Sequence, residues 1–173
     1  MQNKIDKKNV FVANIPFSRH VLLEITKQCN LNCRHCFTSA GSTMDNELNP
    51  KQIRLMLTDL LNHGFNAFTV SGGEPLLKFK HVELVLKILR STSKKMIKTY
   101  LFTNGLLLNE RTFLNFRPFL NGICLSLDGT EKEHDWLRKK AWLLSSNVTS
   151  YQYVTKTQLS HFYPKHGNQP EYF

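Results

Sequence analysis

Apolar positions recur along the chain at two different spacings, and the two alternate. Val21-Leu-Leu-Glu-Ile-Thr-Lys27 is a short apolar run that reads as a strand. Asn49-Pro50-Lys51-Gln52 then carries a helix start, with Asn49 as cap, Pro50 in the first turn and Gln52 placed to reach back. Ile53, Met56, Leu57, Leu60 and Leu61 follow at helical spacing, and Gly64 is a natural stop. Phe65-Asn-Ala-Phe-Thr-Val70 is a second strand candidate, ending in Ser71-Gly72-Gly73-Glu74-Pro75. Val82, Val85, Leu86 and Leu89 mark a second helix, and Ile97-Lys-Thr-Tyr-Leu-Phe102 a third strand, ending in Thr103-Asn104-Gly105. A short helix from about Asn109 to Phe116, broken by Pro118, leads to a fourth strand, Gly122-Ile-Cys-Leu-Ser-Leu127, which ends in Asp128-Gly129.

Strands alternating with helices predict an α/β fold with a parallel sheet and right-handed crossovers. Parallel strands open their carboxyl ends onto one face, where ligands bind. The polar and glycine-rich segments named above all fall at such ends, so they are expected around one pocket. The pattern fades near Lys140. Trp142-Leu-Leu144 starts like a helix, but Ser145-Ser-Asn-Val-Thr-Ser150 does not sustain it. Tyr151 to Phe173 has no period and is expected to be irregular. The chain therefore divides into an N-terminal extension (1–20), a core (21–140) and a tail (141–173).

The chemistry concentrates in Cys29-Asn-Leu-Asn-Cys33-Arg-His-Cys36, which follows the first strand. Three thiolates this close suit an iron–sulfur cluster and are one short of the four that would close it. A 4Fe-4S cube held by Cys29, Cys33 and Cys36 keeps one iron open to a small molecule. Zinc with His35 as fourth ligand is the competing metal reading, but His35 adjoins Cys36, a poor arrangement for a tetrahedral site. Cys124, inside an apolar run, reads as a small buried hydrophobe, so the four cysteines do not form a disulfide framework.

Composition narrows the picture further. At 173 residues with 41% hydrophobic and 21% charged positions, the chain suits one globular domain. It has no apolar run of membrane-spanning length and no secretion signal in its first eight residues, so a cytoplasmic location is expected. The net charge of +10 is spread over Lys7-Lys8, Lys94-Lys95 and Arg138-Lys-Lys140 without a long tract, which argues against nucleic acid as a partner.

With the cysteine spacing and Gly72-Gly73-Glu74-Pro75 at the second strand end, the chain resembles the radical S-adenosylmethionine (radical SAM) superfamily. Ser126-Leu-Asp-Gly129 followed by His134-Asp135-Trp-Leu-Arg138 is similar to its peptide- and protein-modifying branch, which includes sulfatase-maturing enzymes. The resemblance covers roughly Val21 to Lys140. It implies a partial (β/α) barrel, a 4Fe-4S cluster on the three cysteines, and S-adenosylmethionine chelating the fourth iron. Reductive cleavage would then give a 5′-deoxyadenosyl radical that abstracts hydrogen from a peptide, protein or small-molecule substrate. An electron donor such as flavodoxin or ferredoxin is implied as a partner. In this reading Gly72 and Gly73 let backbone approach the methionine end, Glu74 accepts from its amino group and Pro75 fixes the turn. Ser126 and Asp128 face the ribose or carboxylate, His35 and Phe37 flank Cys36 near the adenine, and Thr103 and Asn104 line the wall. His134 and Arg138 read as structural. The family core has about six strand–helix units against four here, and no downstream cysteines offer an auxiliary cluster. A truncated product is therefore expected, and a catalytically inactive remnant that binds cluster or partner is the competing functional reading.

Overall fold

A computed structural model describes residues 19–42, 44, 46–91, 97–141 and 143–146. The strands are β1 (His20–Glu24), β2 (Ala67–Ser71), β3 (Lys98–Thr103) and β4 (Gly122–Leu125). The helices are α1 (Pro50–Asn62), α2 (Phe79–Ser91), α3 (Glu110–Phe116), α4 (Glu131–Arg138) and the single turn α5 (Leu143–Ser146). The four strands pair in parallel in the order β1-β2-β3-β4. Each strand is thus the neighbour of the one before it. Crossovers of one hand then set the helices along one side, and the sheet forms the wall of a partial barrel. This is the α/β architecture expected from the alternating spacings.

Local chemistry explains the element ends. The Asn49 side chain accepts from the N–H groups of Lys51 and Gln52, and Gln52 Oε1 accepts in return from Asn49 N–H, a complete capping box at the start of α1. Gly64, at φ +85°, turns the chain out of that helix. The two inner strands are buried more fully than β1, of whose five residues only Leu23 is buried. The core forms where Ile53 and Leu57 of α1 and Val82, Val85, Leu86 and Leu89 of α2 meet Phe68, Val70 and Leu101 of the sheet. Leu57, Phe68, Val82, Val85 and Leu86 have no exposed surface.

Two boundaries differ from the sequence reading. The β1 ladder stops at Glu24, whereas the apolar run extends to Lys27, where the chain bends on its way to the cysteines. Beyond Lys140 one more helical turn forms: Asp135 Oδ1 accepts from the N–H groups of Leu143 and Leu144, and Leu143 is fully buried. The residues before 19 and after 146, including the expected irregular tail, lie outside the described residues. No helix among the described residues is long and apolar enough to cross a membrane.

Candidate functional site

The first two strands build the floor of the site together. Past its last ladder pair, β1 still donates from Ile25 N–H to Ser71 O at 3.0 Å. The chain after β2 then answers: Gly73 N–H donates to Thr26 O and Glu74 N–H to Gln28 O, both at 2.8 Å. The Gly-Gly-Glu segment therefore lies alongside the residues that lead into the first cysteine. The cysteine loop is closed at its base by Gly41, whose oxygen accepts from Cys29 N–H and whose N–H donates to Lys27 O, each at 2.9 Å. Cys29, Cys33 and Cys36 all face one cavity of about 480 Å3 at the carboxyl ends of the strands. Gly72, Gly73, Thr103, Asn104, Ser126, His35 and Phe37 line the same cavity. Phe37, 89% exposed, stands at its mouth rather than packed in its wall.

The glycines have a different immediate reason from the one the motif suggests. Gly72 sits at φ +147°, and a Cβ there would stand 2.5 Å from Thr26 O. A Cβ on Gly73 would run into Gln28 O. The backbone that leads to the cysteines occupies the space a side chain would need, so these residues are bare in order to hold the loop close.

Donors from neighbouring residues reach the sulfurs of Cys29 and Cys36, and the Cys33 sulfur has its own N–H. Leu31 N–H lies 3.4 Å from Cys29 Sγ, and Asn104 Nδ2 lies 4.0 Å from the same atom. Ala40 N–H lies 3.3 Å from Cys36 Sγ, and Thr38 Oγ1 lies 3.6 Å from it. Burial pushes the Cys29 thiol up, opposed by the Leu31 N–H, and pushes Cys33 up, opposed by the Arg138 guanidinium. Burial acts on Cys36 too, but the donors from Ala40, Thr38 and Ser39 outweigh it and its pKa falls.

No three His, Cys, Asp or Glu side chains among the described residues converge on a single metal ion. Sulfurs that hold three corners of a cube stand further apart than sulfurs gripping one ion, and here three share one cavity wall. His35 Nε2 turns to Asp128 Oδ2 at 3.3 Å, away from the role of a fourth zinc ligand. His35 Nδ1 is buried without a partner. The donor set fits an iron–sulfur cube better than zinc.

Glu74, expected to meet the cofactor's amino group, is turned inward. Its carboxylate has no exposed surface. Oε1 accepts from Leu76 N–H at 3.0 Å and from the Thr103 hydroxyl at 2.8 Å, and Oε2 accepts from Asn104 N–H at 2.9 Å. Burial still pushes its pKa up against these three donors. Glu74 thus ties the β2 end to the β3 end, and Asn104 carries the tie onward, donating from Nδ2 to Asn30 Oδ1 at 2.8 Å. Pro75 opens a short 3-10 turn, Pro75–Lys78, and is buried behind the wall.

Asp128, expected to face the cofactor, is likewise held from behind. Arg138 donates to its Oδ2 from Nε at 2.8 Å and from Nη2 at 2.7 Å. Asp128 N–H donates to His134 Nδ1 at 3.1 Å, which requires that nitrogen to be unprotonated. Burial and the Arg138 guanidinium lower the His134 pKa, in keeping with that neutral ring. The structural reading of His134 and Arg138 agrees with these contacts, although Arg138 also lines the cavity. The cysteine loop is fastened to the same helix: Arg34 N–H donates to Leu137 O at 2.7 Å and Arg34 Nε to Trp136 O at 3.1 Å. The Arg34 guanidinium also lies 4.6 Å from the centre of the Trp136 ring.

The sequence reading missed Glu47 and Thr38. Glu47 accepts from Thr26 Oγ1 at 2.6 Å and Lys27 N–H at 2.9 Å, and pairs with Lys78 at 3.1 Å. It has no motif around it, so no periodic signal marks it. Thr38 follows the last cysteine by two positions, and proximity alone was its signal.

A parallel barrel wall with three cysteines and a bare Gly-Gly turn at one cavity defines a class, and the sequence agrees. Residues 23–146 match the radical SAM superfamily, and the chain belongs to it. The chain is 33% identical over 112 residues to a probable GTP 3′,8-cyclase of Methanococcus aeolicus, covering 64% of this chain and 38% of that protein. It is 32% identical over 117 residues to sporulation killing factor maturation protein SkfB of Bacillus subtilis, covering 67% of this chain and 28% of that one. Among solved structures, native anSMEcpe with bound AdoMet superimposes at a TM-score of 0.66 and 25% identity, over 83% of this chain and 42% of that one. The chain spans less than half the length of each of these proteins.

Proposed function

We propose that the cavity binds a 4Fe-4S cluster and S-adenosylmethionine, and that the chain uses them for hydrogen abstraction from a peptide, protein or small-molecule substrate. The observation that supports this reading is the meeting of Cys29, Cys33 and Cys36 with Gly72, Gly73 and Ser126 on one cavity. When bound, such a cluster supplies the electron that breaks the sulfonium's bond to the ribose and frees a 5′-deoxyadenosyl radical. The residues of the chain bind and orient. The three thiolates hold three irons. The half-buried backbone of Gly72 and Gly73 receives the methionine end, and Ser126 offers its hydroxyl to the ribose or carboxylate. His35 and Phe37 flank the adenine, while Thr103 and Asn104 form the wall that excludes quenching water. Glu74, Pro75 and Asp128 act one layer behind, as braces.

The names of the relatives point to both a nucleotide and a maturation target, which leaves the substrate class open between them. An acidic electron donor of the flavodoxin or ferredoxin kind suits the chain's charge of +10. The test is anaerobic reconstitution with iron and sulfide, followed by dithionite and S-adenosylmethionine. Near four irons per chain and release of 5′-deoxyadenosine are expected. Full iron with no 5′-deoxyadenosine would favour the inactive, cluster-binding remnant, and stoichiometric zinc without sulfide would refute the cluster.

A further inference from the structure

The three sulfurs differ in the side chains that reach them. Cys36 Sγ has the Thr38 hydroxyl at 3.6 Å. Cys29 Sγ has the Asn104 amide at 4.0 Å. For Cys33, among the described residues, no side-chain donor to sulfur stands out; its charged neighbour is Arg138. A thiolate on iron carries no hydrogen, so in the Thr38–Cys36 pair the hydroxyl must donate. We propose that Thr38 and Asn104 are positioning residues that raise the reduction potential of an iron–sulfur cluster held through Cys36 and Cys29. The inference rests on the cluster reading given above.

Reduction adds an electron to a cluster that is already anionic. Donors aimed at its sulfur ligands stabilise the added charge and make reduction easier. Both residues are held by contacts elsewhere, Thr38 through its backbone and Asn104 through its side chain. The Thr38 carbonyl accepts from Lys27 Nζ at 2.8 Å, which anchors that residue beside the sulfur. Asn104 Oδ1 accepts from Leu106 N–H at 3.0 Å while Nδ2 donates to Asn30 Oδ1 at 2.8 Å. These two bonds decide which end of the amide faces the cysteine loop: the nitrogen end. Its backbone N–H is held separately by Glu74, so the loop keeps that tie when the side chain is removed. Neither donor is a ligand, and neither needs to touch a substrate to act.

The experiment uses the full chain, reconstituted anaerobically as wild type, Thr38→Val, Thr38→Ser and Asn104→Ala. Iron and sulfide per chain are measured first, then the midpoint potential by redox titration followed by electron paramagnetic resonance. Thr38→Val keeps the shape and removes the donor. It is expected to hold wild-type iron and to titrate at a more negative potential. The expected shift is on the order of a tenfold change in the reduced-to-oxidised ratio, about 59 mV for one electron. Thr38→Ser should titrate with the wild type, and Asn104→Ala should shift in the same direction by less, since its contact is longer. A wild-type potential in Thr38→Val at full iron overturns the proposal. So does loss of the cluster in Thr38→Val with retention in Thr38→Ser, because the hydroxyl would then serve assembly and not potential. If Asn104→Ala fails to fold, the Thr38 pair decides alone. A wild-type chain that takes up no iron sinks the cluster reading itself, and this inference with it, a result distinct from unshifted potentials.

Discussion

Three donors meet one carboxylate at Glu47: the Thr26 hydroxyl, the Lys27 N–H and the Lys78 ammonium. Burial alone would raise its pKa, but these partners lower it from 4.5 to about 2. A carboxylate depressed on folding contributes stability that is whole above pH 4.5 and is lost as pH falls towards 2. Glu47→Gln should therefore cost about 1–3 kcal/mol at neutral pH and show a flatter loss of stability in acid than the wild type. Denaturant melts at a series of pH values check this, and parallel acid limbs would contradict it. Glu47 and Asp128 also show what a sequence conceals at this scale. Both are carboxylates near the site, and only the folded chain shows that each faces a brace: Lys78 and Thr26 for one, Arg138 for the other. Partners ten or more residues away in the chain leave no periodic trace. Glu74 was legible as a motif residue, but its direction was not, because Thr103 and Asn104 capture it from 29 and 30 residues away.

Among the elements, the short segments between strand ends and helices carry the geometry of the site. Gly73 is the tightest case, since a side chain there meets Gln28 backbone, which cannot rotate aside. Gly73→Ala should destabilise the chain by about 1–3 kcal/mol through forced displacement and should lower iron uptake as the cysteine loop shifts. A thermal melt and an iron assay check both, and an unchanged pair of values would show that the two segments part freely. The helices and strands themselves were largely readable: Asn49 and Gln52 cap α1 as their spacing predicts, and Val82, Val85, Leu86 and Leu89 form the buried stripe of α2. These features depend on neighbours within a few residues, which sequence displays directly. The end of β1 was not readable, because the backbone beyond it bonds to Gly73 and Glu74, about 46 residues on, and not to near neighbours.

For the whole molecule, the cysteines connect parts that the sheet alone leaves independent. The loop is pinned at its base by Gly41, beside the Gly-Gly turn by Gln28, and at its middle by α4 through Arg34. A metal group bound to it would tighten all three attachments, and anything that binds only the folded form stabilises it. The reconstituted chain should thus show a higher Tm than the metal-free chain. Cys33→Ala should abolish that gain along with iron binding, whereas Cys124→Ala, whose thiol lies in the β4 core, should keep the iron. A Tm gain that survives in Cys33→Ala would place the stabilising metal elsewhere.

The tie from Arg34 to Trp136 joins residues 102 positions apart. On a ribosome adding about 5–20 residues each second, some 5–20 s separate the emergence of the thiols from that of the helix that steadies them. For that interval the nascent loop is exposed to oxidants and stray metals without its clasp, so loading after α4 has emerged is the order of events the architecture favours.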